Sequence, residues 1–127
     1  MTIARLEHAN ITVADPDKTA AWMADVFGWH VRWQGVAMEN GRTIHIGGDD
    51  NYIALYNPGV STGERERSYE TRGGLNHLAV VVEDLNAVEA KVHAAGFKSG
   101  QHYDYEPGER FYFWDNDGIE YEVVHYG

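Results

Sequence analysis

The sequence contains no cysteine. This absence excludes disulfides, thiolate metal ligands and a cysteine nucleophile, so metal chemistry must use histidine, aspartate or glutamate. Basic residues are also scarce, with 10 Lys and Arg against 20 Asp and Glu and a formal net charge of −10. Because nucleic acid and anionic membranes are themselves negatively charged, neither is an expected partner. The expected partners are small molecules, cations or a second copy of the chain.

Long hydrophobic runs are missing as well. No apolar segment approaches the roughly 20 residues of a membrane-spanning helix. The opening residues, MTIARLEHANITVAD, alternate polar and apolar side chains and lack a basic-then-apolar signal pattern. We therefore expect a cytoplasmic protein. The 127 residues fit one compact domain or two intimately packed half-size modules.

An internal repeat divides the chain into two halves. Leu6–Asp15 (LEHANITVAD) aligns with Leu75–Asp84 (LNHLAVVVED), 69 residues later, with Leu, His, Val and Asp at matching places. A segment with apolar residues at helical spacing follows each stretch, and each segment ends at a glycine, Gly28 or Gly96. We interpret each half as a strand followed by a helix.

Three further strands are predicted in each half. In the first half they are His30–Met38, Arg42–Gly47 and Tyr52–Tyr56, with a hairpin turn at Glu39-Asn40-Gly41. In the second half they are Lys98–Tyr103, Arg110–Trp114 and Ile119–Tyr126. Residues 3–58 and 73–127 therefore form two βαβββ modules of one domain spanning 1–127, linked by the polar segment Asn57–Gly74. Since one module cannot bury its sheet alone, we predict an α+β fold in which two modules pack together. The alternative is a generic α+β domain with a coincidental repeat.

Two histidines stand at equivalent places in the repeat. On a strand, His8 shares one face with Asn10 and Thr12, and His77 has the same place in the second half. A pseudo-twofold axis would bring the two imidazoles opposite each other, and neutral imidazole is the commonest nitrogen ligand of metals. A single strand histidine is more often structural, but a repeated one favours a metal site.

The last strand supplies a carboxylate. Glu120 and Glu122 lie two residues apart and face the same way, and a carboxylate on an inner sheet face is costly unless it is paired or metal-bound. Glu122 fits a ligand, whereas Glu120 could lie at an exposed strand entrance. The alternative is that both face water on an edge strand. The first-half position that matches Glu122 is Ala54, so the set is two histidines and one carboxylate, which is associated with non-haem Fe(II).

These motifs resemble the vicinal-oxygen-chelate superfamily, which includes glyoxalase I, bleomycin and fosfomycin resistance proteins and extradiol ring-cleaving dioxygenases. The resemblance covers nearly the whole chain and implies that the two βαβββ modules form a curved mixed-sheet cup. It rests on the segments Leu6-Glu7-His8, Phe27-Gly28-Trp29, Leu75-Asn76-His77 and Asp117–Glu122.

The resemblance implies a ligand set and a chemistry. Family members place metal ligands at the positions of His8, Ala54, His77 and Glu122. Extradiol dioxygenases use only His, His and Glu, which is the set present here. It implies one divalent metal ion, with Fe(II) favoured and nickel, zinc, cobalt or manganese as alternatives.

Three further residues receive catalytic roles from the same resemblance. Tyr112 falls on a tyrosine that helps to position a substrate oxygen. His102 lies near a second-shell histidine, although the intervening loop is about one residue longer, and His45 is an alternative acid–base histidine. The side chains of Trp33, Tyr56, Tyr112 and Trp114 are candidates to line an apolar pocket.

The chain has two modules where extradiol enzymes commonly have four, so a homodimer is expected. The leading hypothesis is extradiol-dioxygenase-like oxygen chemistry on a small-molecule substrate that is chelated through two adjacent oxygens. The alternatives are a glyoxalase-like lyase or isomerase and a non-catalytic, drug-resistance-type binding protein.

Overall fold

The computed structural model describes residues 2–37, 40–63, 67–105 and 108–127. The chain divides into two compact units, Met1–Thr62 and Gly63–Gly127. The predicted turn at Glu39 and the predicted strand end at Met38 lie outside the described residues. No helix within the described ranges has the length and apolar character needed to cross a membrane.

The first unit is a four-stranded sheet with one helix. Its elements are β1 (His8–Thr12), α1 (Pro16–Phe27), β2 (His30–Val36), β3 (Arg42–Gly47) and β4 (Tyr52–Asn57). The strand order is β1-β4-β3-β2, in which β1 runs parallel to β4 and the other pairs are antiparallel. The sheet is therefore mixed, as predicted.

Local signals in the sequence set the bounds of α1. The Asp15 side chain accepts a hydrogen bond from the backbone N–H of Lys18, and Pro16 occupies the first turn, where a missing N–H does no harm. Gly28 ends the helix with φ of +73°, a left-handed conformation that glycine adopts without strain. The helix buries Met23 and Val26.

The second unit repeats this architecture. It begins with a short 3₁₀ helix (Ser68–Glu70), followed by β5 (Leu78–Val81), α2 (Leu85–Ala94), β6 (Ser99–Tyr105), β7 (Gly108–Trp114) and β8 (Glu120–His125). The strand order is β5-β8-β7-β6, with β5 parallel to β8. The expectation of two βαβββ modules with mixed sheets is confirmed.

The turn before β8 is held by one buried carboxylate. Asp115 accepts hydrogen bonds from the backbone N–H groups of Asp117 and Ile119 and from the hydroxyl of Tyr121. Burial raises the pKa of Asp115 above its usual value, although these three donors oppose the shift. The turn fixes where β8 starts, and β8 carries the candidate carboxylates.

Candidate functional site

Glu120 and Glu122 lie on the same face of β8 and are both only 8% exposed. Strand β8 lies between β5 and β7, so it is an interior strand of its sheet. The alternative in which both carboxylates face water on an edge strand is therefore wrong. Glu120 is the first residue of β8 and so does lie at the strand entrance, but the suggestion that this place is exposed is wrong.

Two side chains from β7 contact one oxygen of Glu122. Nη1 of Arg110 lies 3.2 Å from Oε1 of Glu122, and the Tyr112 hydroxyl donates to the same oxygen at 3.0 Å. Arg110 is itself 9% exposed. A buried carboxylate needs such partners because burial removes its hydration. The structure thus brings Tyr112 and Glu122 together, and it adds Arg110, which the sequence reasoning missed.

His77 lies against both carboxylates. Its Nε2 is 4.0 Å from Oε2 of Glu122, and its Nδ1 is 3.2 Å from Oε2 of Glu120. The Tyr69 hydroxyl donates to the same Glu120 oxygen at 2.6 Å and lies 3.2 Å from Nδ1 of His77. The hydrogen bond to Glu120 raises the pKa of Tyr69 to about 12.

This arrangement fits a divalent cation. A separation of 4.0 Å between Nε2 of His77 and Oε2 of Glu122 is too long for a hydrogen bond, but it is within the span of two metal–ligand bonds of about 2.1 Å each. A carboxylate at the other ring nitrogen is typical of metal-binding histidines. Within the described residues, no three His, Asp or Glu side chains converge closely enough to hold an ion by themselves. The third predicted ligand, His8, belongs to the other unit.

In the first unit, the rings of His8 and His45 both stack on the ring of Tyr52. The His8 ring stacks on Tyr52 with centroids 4.8 Å apart, and the His45 ring stacks on Tyr52 at 4.5 Å. Nδ1 of His8 is 2.9 Å from Oε1 of Glu7. Burial lowers the pKa of His45 below 6.5, with smaller contributions from the charges of His8 and Arg32. The predicted ligand His8 and the alternative acid–base residue His45 are thus brought together.

The two sheets have matching registers. Ala54 pairs with Asn10 in the first sheet, and Glu122 pairs with Ala79, which is 69 residues after Asn10, in the second. The deduction that Ala54 occupies the place of Glu122 is therefore confirmed. By the same register His45, opposite Ala54, takes the place that Tyr112 has opposite Glu122.

His102 lies away from the Glu122 group. Its Nε2 is 2.7 Å from Oε2 of Glu89, a residue of α2, and its ring stacks on the buried Phe111. The pairing of β6 with β7 is irregular between Ser99 and His102, and this irregularity sets which residues of β6 face the helix. The structure does not bring His102 together with Tyr112 and Glu122.

The four candidate pocket aromatics are dispersed over the two units. Trp114 pairs with Glu120 across β7 and β8 and is about half exposed. Trp33 is also half exposed and contacts His45 at 5.2 Å between ring centroids. Tyr56, on β4 opposite Thr12, is partly buried.

Comparisons with known proteins agree with this architecture. The family model described as Glyoxalase/Bleomycin resistance protein/Dioxygenase superfamily matches residues 5–123. Among curated proteins, none matches the chain at a significant level.

Several solved structures share the fold. A glyoxylase/bleomycin resistance protein/dioxygenase domain from Frankia sp. EAN1pec is 24% identical with a TM-score of 0.82, covering 99% of this chain and 94% of that one. TnmS3, an antibiotic binding protein from Streptomyces sp. CB03234, is 17% identical with a TM-score of 0.76, covering 100% and 99%. The fosfomycin resistance protein FosX from Listeria monocytogenes, complexed with Mn(II) and sulfate, is 18% identical with a TM-score of 0.76, covering 99% and 95%.

Proposed function

Because the chain belongs to the glyoxalase/bleomycin resistance protein/dioxygenase superfamily, we propose that it is a metal-dependent enzyme acting on a substrate with two adjacent oxygens. His8, His77 and Glu122 are the proposed ligands of one divalent ion. The observation that carries the proposal is the pair His77 and Glu122, whose Nε2 and Oε2 lie 4.0 Å apart. Nδ1 of His77 and Oε1 of Glu122 contact protein groups. Nε2 of His77 and Oε2 of Glu122 are therefore the two atoms that could bind an ion.

The metal favoured by this donor set is Fe(II), because two histidines and one carboxylate with vacant positions are typical of non-haem iron sites. When bound, a divalent cation supplies a Lewis acid and a template for two adjacent substrate oxygens. Ala54, which has no ligating atom, stands where the register would place a fourth ligand. The alanine supports a coordination position of the ion that no protein ligand fills.

The chain's own residues handle the substrate oxygens and protons. The Tyr112 hydroxyl donates its one proton to Oε1 of Glu122 at 3.0 Å, and it would turn from that oxygen to donate a hydrogen bond to a substrate oxygen beside the carboxylate. Arg110 places a positive charge next to the same carboxylate and compensates its buried charge. His45, whose pKa is lowered, is neutral near pH 7 and is therefore in the form that accepts a proton.

We propose extradiol-type cleavage of a catechol as the reaction. The test is oxygen uptake by protein loaded anaerobically with Fe(II) and then mixed with catechols, together with the absorbance of a yellow ring-opened product. His77→Ala should abolish both signals. If the loaded protein consumes no oxygen but converts a hemithioacetal anaerobically, the reaction is of the glyoxalase type instead.

A second candidate is a small-molecule binding protein of the drug-resistance type. It is favoured by the contacts of Arg110 and Tyr112 with Oε1 of Glu122, which compensate the buried carboxylate with a protein cation and a hydrogen bond. The two candidates differ in their response to chelators. A ligand-induced thermal shift that persists in EDTA, with no turnover under any metal, would favour the binding protein.

A further inference from the structure

Glu120 is a buried carboxylate that the proposed reaction does not use. Its side chain is 11% exposed, although it is neither a proposed ligand nor a substrate contact. A carboxylate in such a place must be compensated by hydrogen bonds or charge. The partners in the structure are the Tyr69 hydroxyl and Nδ1 of His77, and both contact the same oxygen, Oε2.

The number of protons in this group determines the tautomer of His77. Tyr69 has one hydroxyl proton, and it is donated to Oε2 of Glu120. The Tyr69 oxygen can therefore only accept in its 3.2 Å contact with His77. Both contacts of Nδ1 thus require Nδ1 to carry the ring proton. In the neutral ring, the unprotonated nitrogen is then Nε2, the atom that faces Oε2 of Glu122.

We propose that Glu120 and Tyr69 are positioning residues that hold the His77 ring with an unprotonated Nε2 directed at Glu122. The inference rests on the proposed function, because it assigns Nε2 as the nitrogen that binds the ion. Outer partners of this kind orient the ligand ring and raise its basicity.

The linker geometry supports a dedicated role for Tyr69. This residue lies in the 3₁₀ helix Ser68–Glu70, within the segment that the sequence suggested was only a connection. The chain then folds back through Gly73, with φ of +82°, and Gly74, where an added Cβ would lie 2.6 Å from the Ser68 carbonyl oxygen. Both glycines are therefore needed for the path that brings Tyr69 to His77.

The two histidines differ in how firmly they are held. In the first unit, Nδ1 of His8 contacts Glu7, whose side chain is 67% exposed, whereas His77 contacts a carboxylate that is 11% exposed. A buried hydrogen bond to a charged group is stronger than one in water. The ring of His77, unlike that of His8, is therefore held in a fixed orientation before an ion binds.

The first experiment reads the tautomer directly in metal-free protein. Nitrogen-15 NMR of the His77 ring should show a protonated Nδ1 and an unprotonated Nε2 in the wild type. Glu120→Met should shift the population towards the Nε2–H form, whereas Glu120→Gln should retain the wild-type tautomer because its carbonyl oxygen still accepts. A wild-type ring protonated at Nε2, or a tautomer unaffected by Glu120→Met, would overturn the proposal.

The second experiment measures Mn(II) affinity by electron paramagnetic resonance. Removing an outer partner of a metal-binding histidine typically weakens binding about 10- to 100-fold, so Glu120→Met should fall in that range. Tyr69→Phe should show a smaller loss, and Glu120→Gln should recover much of the affinity. Tyr126→Phe and Glu109→Met, which change exposed residues of the same unit, serve as matched controls.

The two experiments separate the inference from the proposed function. If the wild type binds Mn(II) and all variants bind equally, the positioning role is wrong while the metal enzyme stands. If the wild type binds no divalent ion, the proposed function fails. The NMR arm still decides the positioning role in that case, because it needs no metal.

Discussion

Nη1 of Arg110 lies 3.2 Å from Oε1 of Glu122, and both side chains are only 10% exposed. The carboxylate proposed as a metal ligand therefore already has a cationic partner on the neighbouring strand. This contact occupies one oxygen and leaves the other directed at His77. The arrangement presents Glu122 to an ion through a single oxygen.

Arg110→Met tests the energetic role of this pair. Removing one partner of a buried ion pair leaves the other charge uncompensated, so the free energy of unfolding of the metal-free protein should fall by about 3 kcal/mol. Urea denaturation measures the loss. Arg42→Met, which breaks the exposed pair with Asp17, is the control and should cause a much smaller loss. Equal losses would mean that burial adds nothing to the Arg110 contact.

Arg110 also places a positive charge near the proposed ion. Its removal should therefore strengthen metal binding, although it lowers the stability of the metal-free protein. Arg110→Met should bind Mn(II) more tightly than the wild type, since the repulsion between two cations is lost. Isothermal titration calorimetry measures the change. Weaker binding would indicate that Arg110 acts mainly by holding Glu122 in place.

Tyr112→Phe tests the proposed contact with substrate. The variant loses one hydrogen bond to a charged acceptor, which should lower the free energy of unfolding by about 1.5 to 3 kcal/mol. Loss of the donor to a substrate oxygen should lower kcat/KM for a catechol by about 100- to 1000-fold, the usual range for removing one positioned hydrogen-bond donor. Steady-state oxygen uptake at several catechol concentrations gives the value. An unchanged kcat/KM would remove Tyr112 from the reaction.

His45 provides a test by pH. Its pKa is lowered in the folded protein, chiefly by burial, so the folded state favours the neutral ring. Its contribution to stability is therefore fully present above pH 6.5 and is lost as the pH falls through the folded pKa. The ring should titrate below 6.5 in an NMR experiment, and His45→Phe, which keeps a ring on Tyr52, should remove this part of the pH dependence. A midpoint above 6.5 would contradict the assignment.

Asp115 tests the turn that precedes β8. Asp115→Ala removes the acceptor of three hydrogen bonds and should lower the free energy of unfolding by about 2 to 3 kcal/mol. Asp115→Asn keeps an acceptor for the two backbone donors and removes the charge that burial disfavours, so its loss should be much smaller. Thermal and urea denaturation compare the two. A larger loss in Asp115→Asn would show that the charge itself stabilises the turn.

Much of the fold could be predicted from the sequence, because the relevant signals are local. Alternating apolar residues define strands, while Asp15, Gly28 and the Asp115 turn fix where elements begin and end. The repeat then aligned His8 with His77 and Ala54 with Glu122, and the sheet registers agree with that alignment. The prediction that Glu120 and Glu122 point to the same face of the strand followed from the two-residue period of a strand.

The remaining parts of the site depend on neighbours that are distant in sequence. The burial of Glu120 follows from the interior place of β8, which a strand pattern alone does not reveal. Tyr69 lies in a polar linker, and only its folded path brings the hydroxyl to Glu120. His102 faces α2 because the pairing of β6 is irregular, and a one-residue change of register reverses the face of every later side chain.

The most direct test of the proposed metal site counts the imidazoles that are bound to one ion. Electron spin-echo spectroscopy of Mn(II)-loaded protein detects coupling to each directly bound ring nitrogen. We expect two imidazoles in the wild type, one in His8→Ala and one in His77→Ala, with about one ion per chain. A single imidazole in the wild type, unchanged by His8→Ala, would contradict the proposal that both halves of the chain supply a ligand to the same metal.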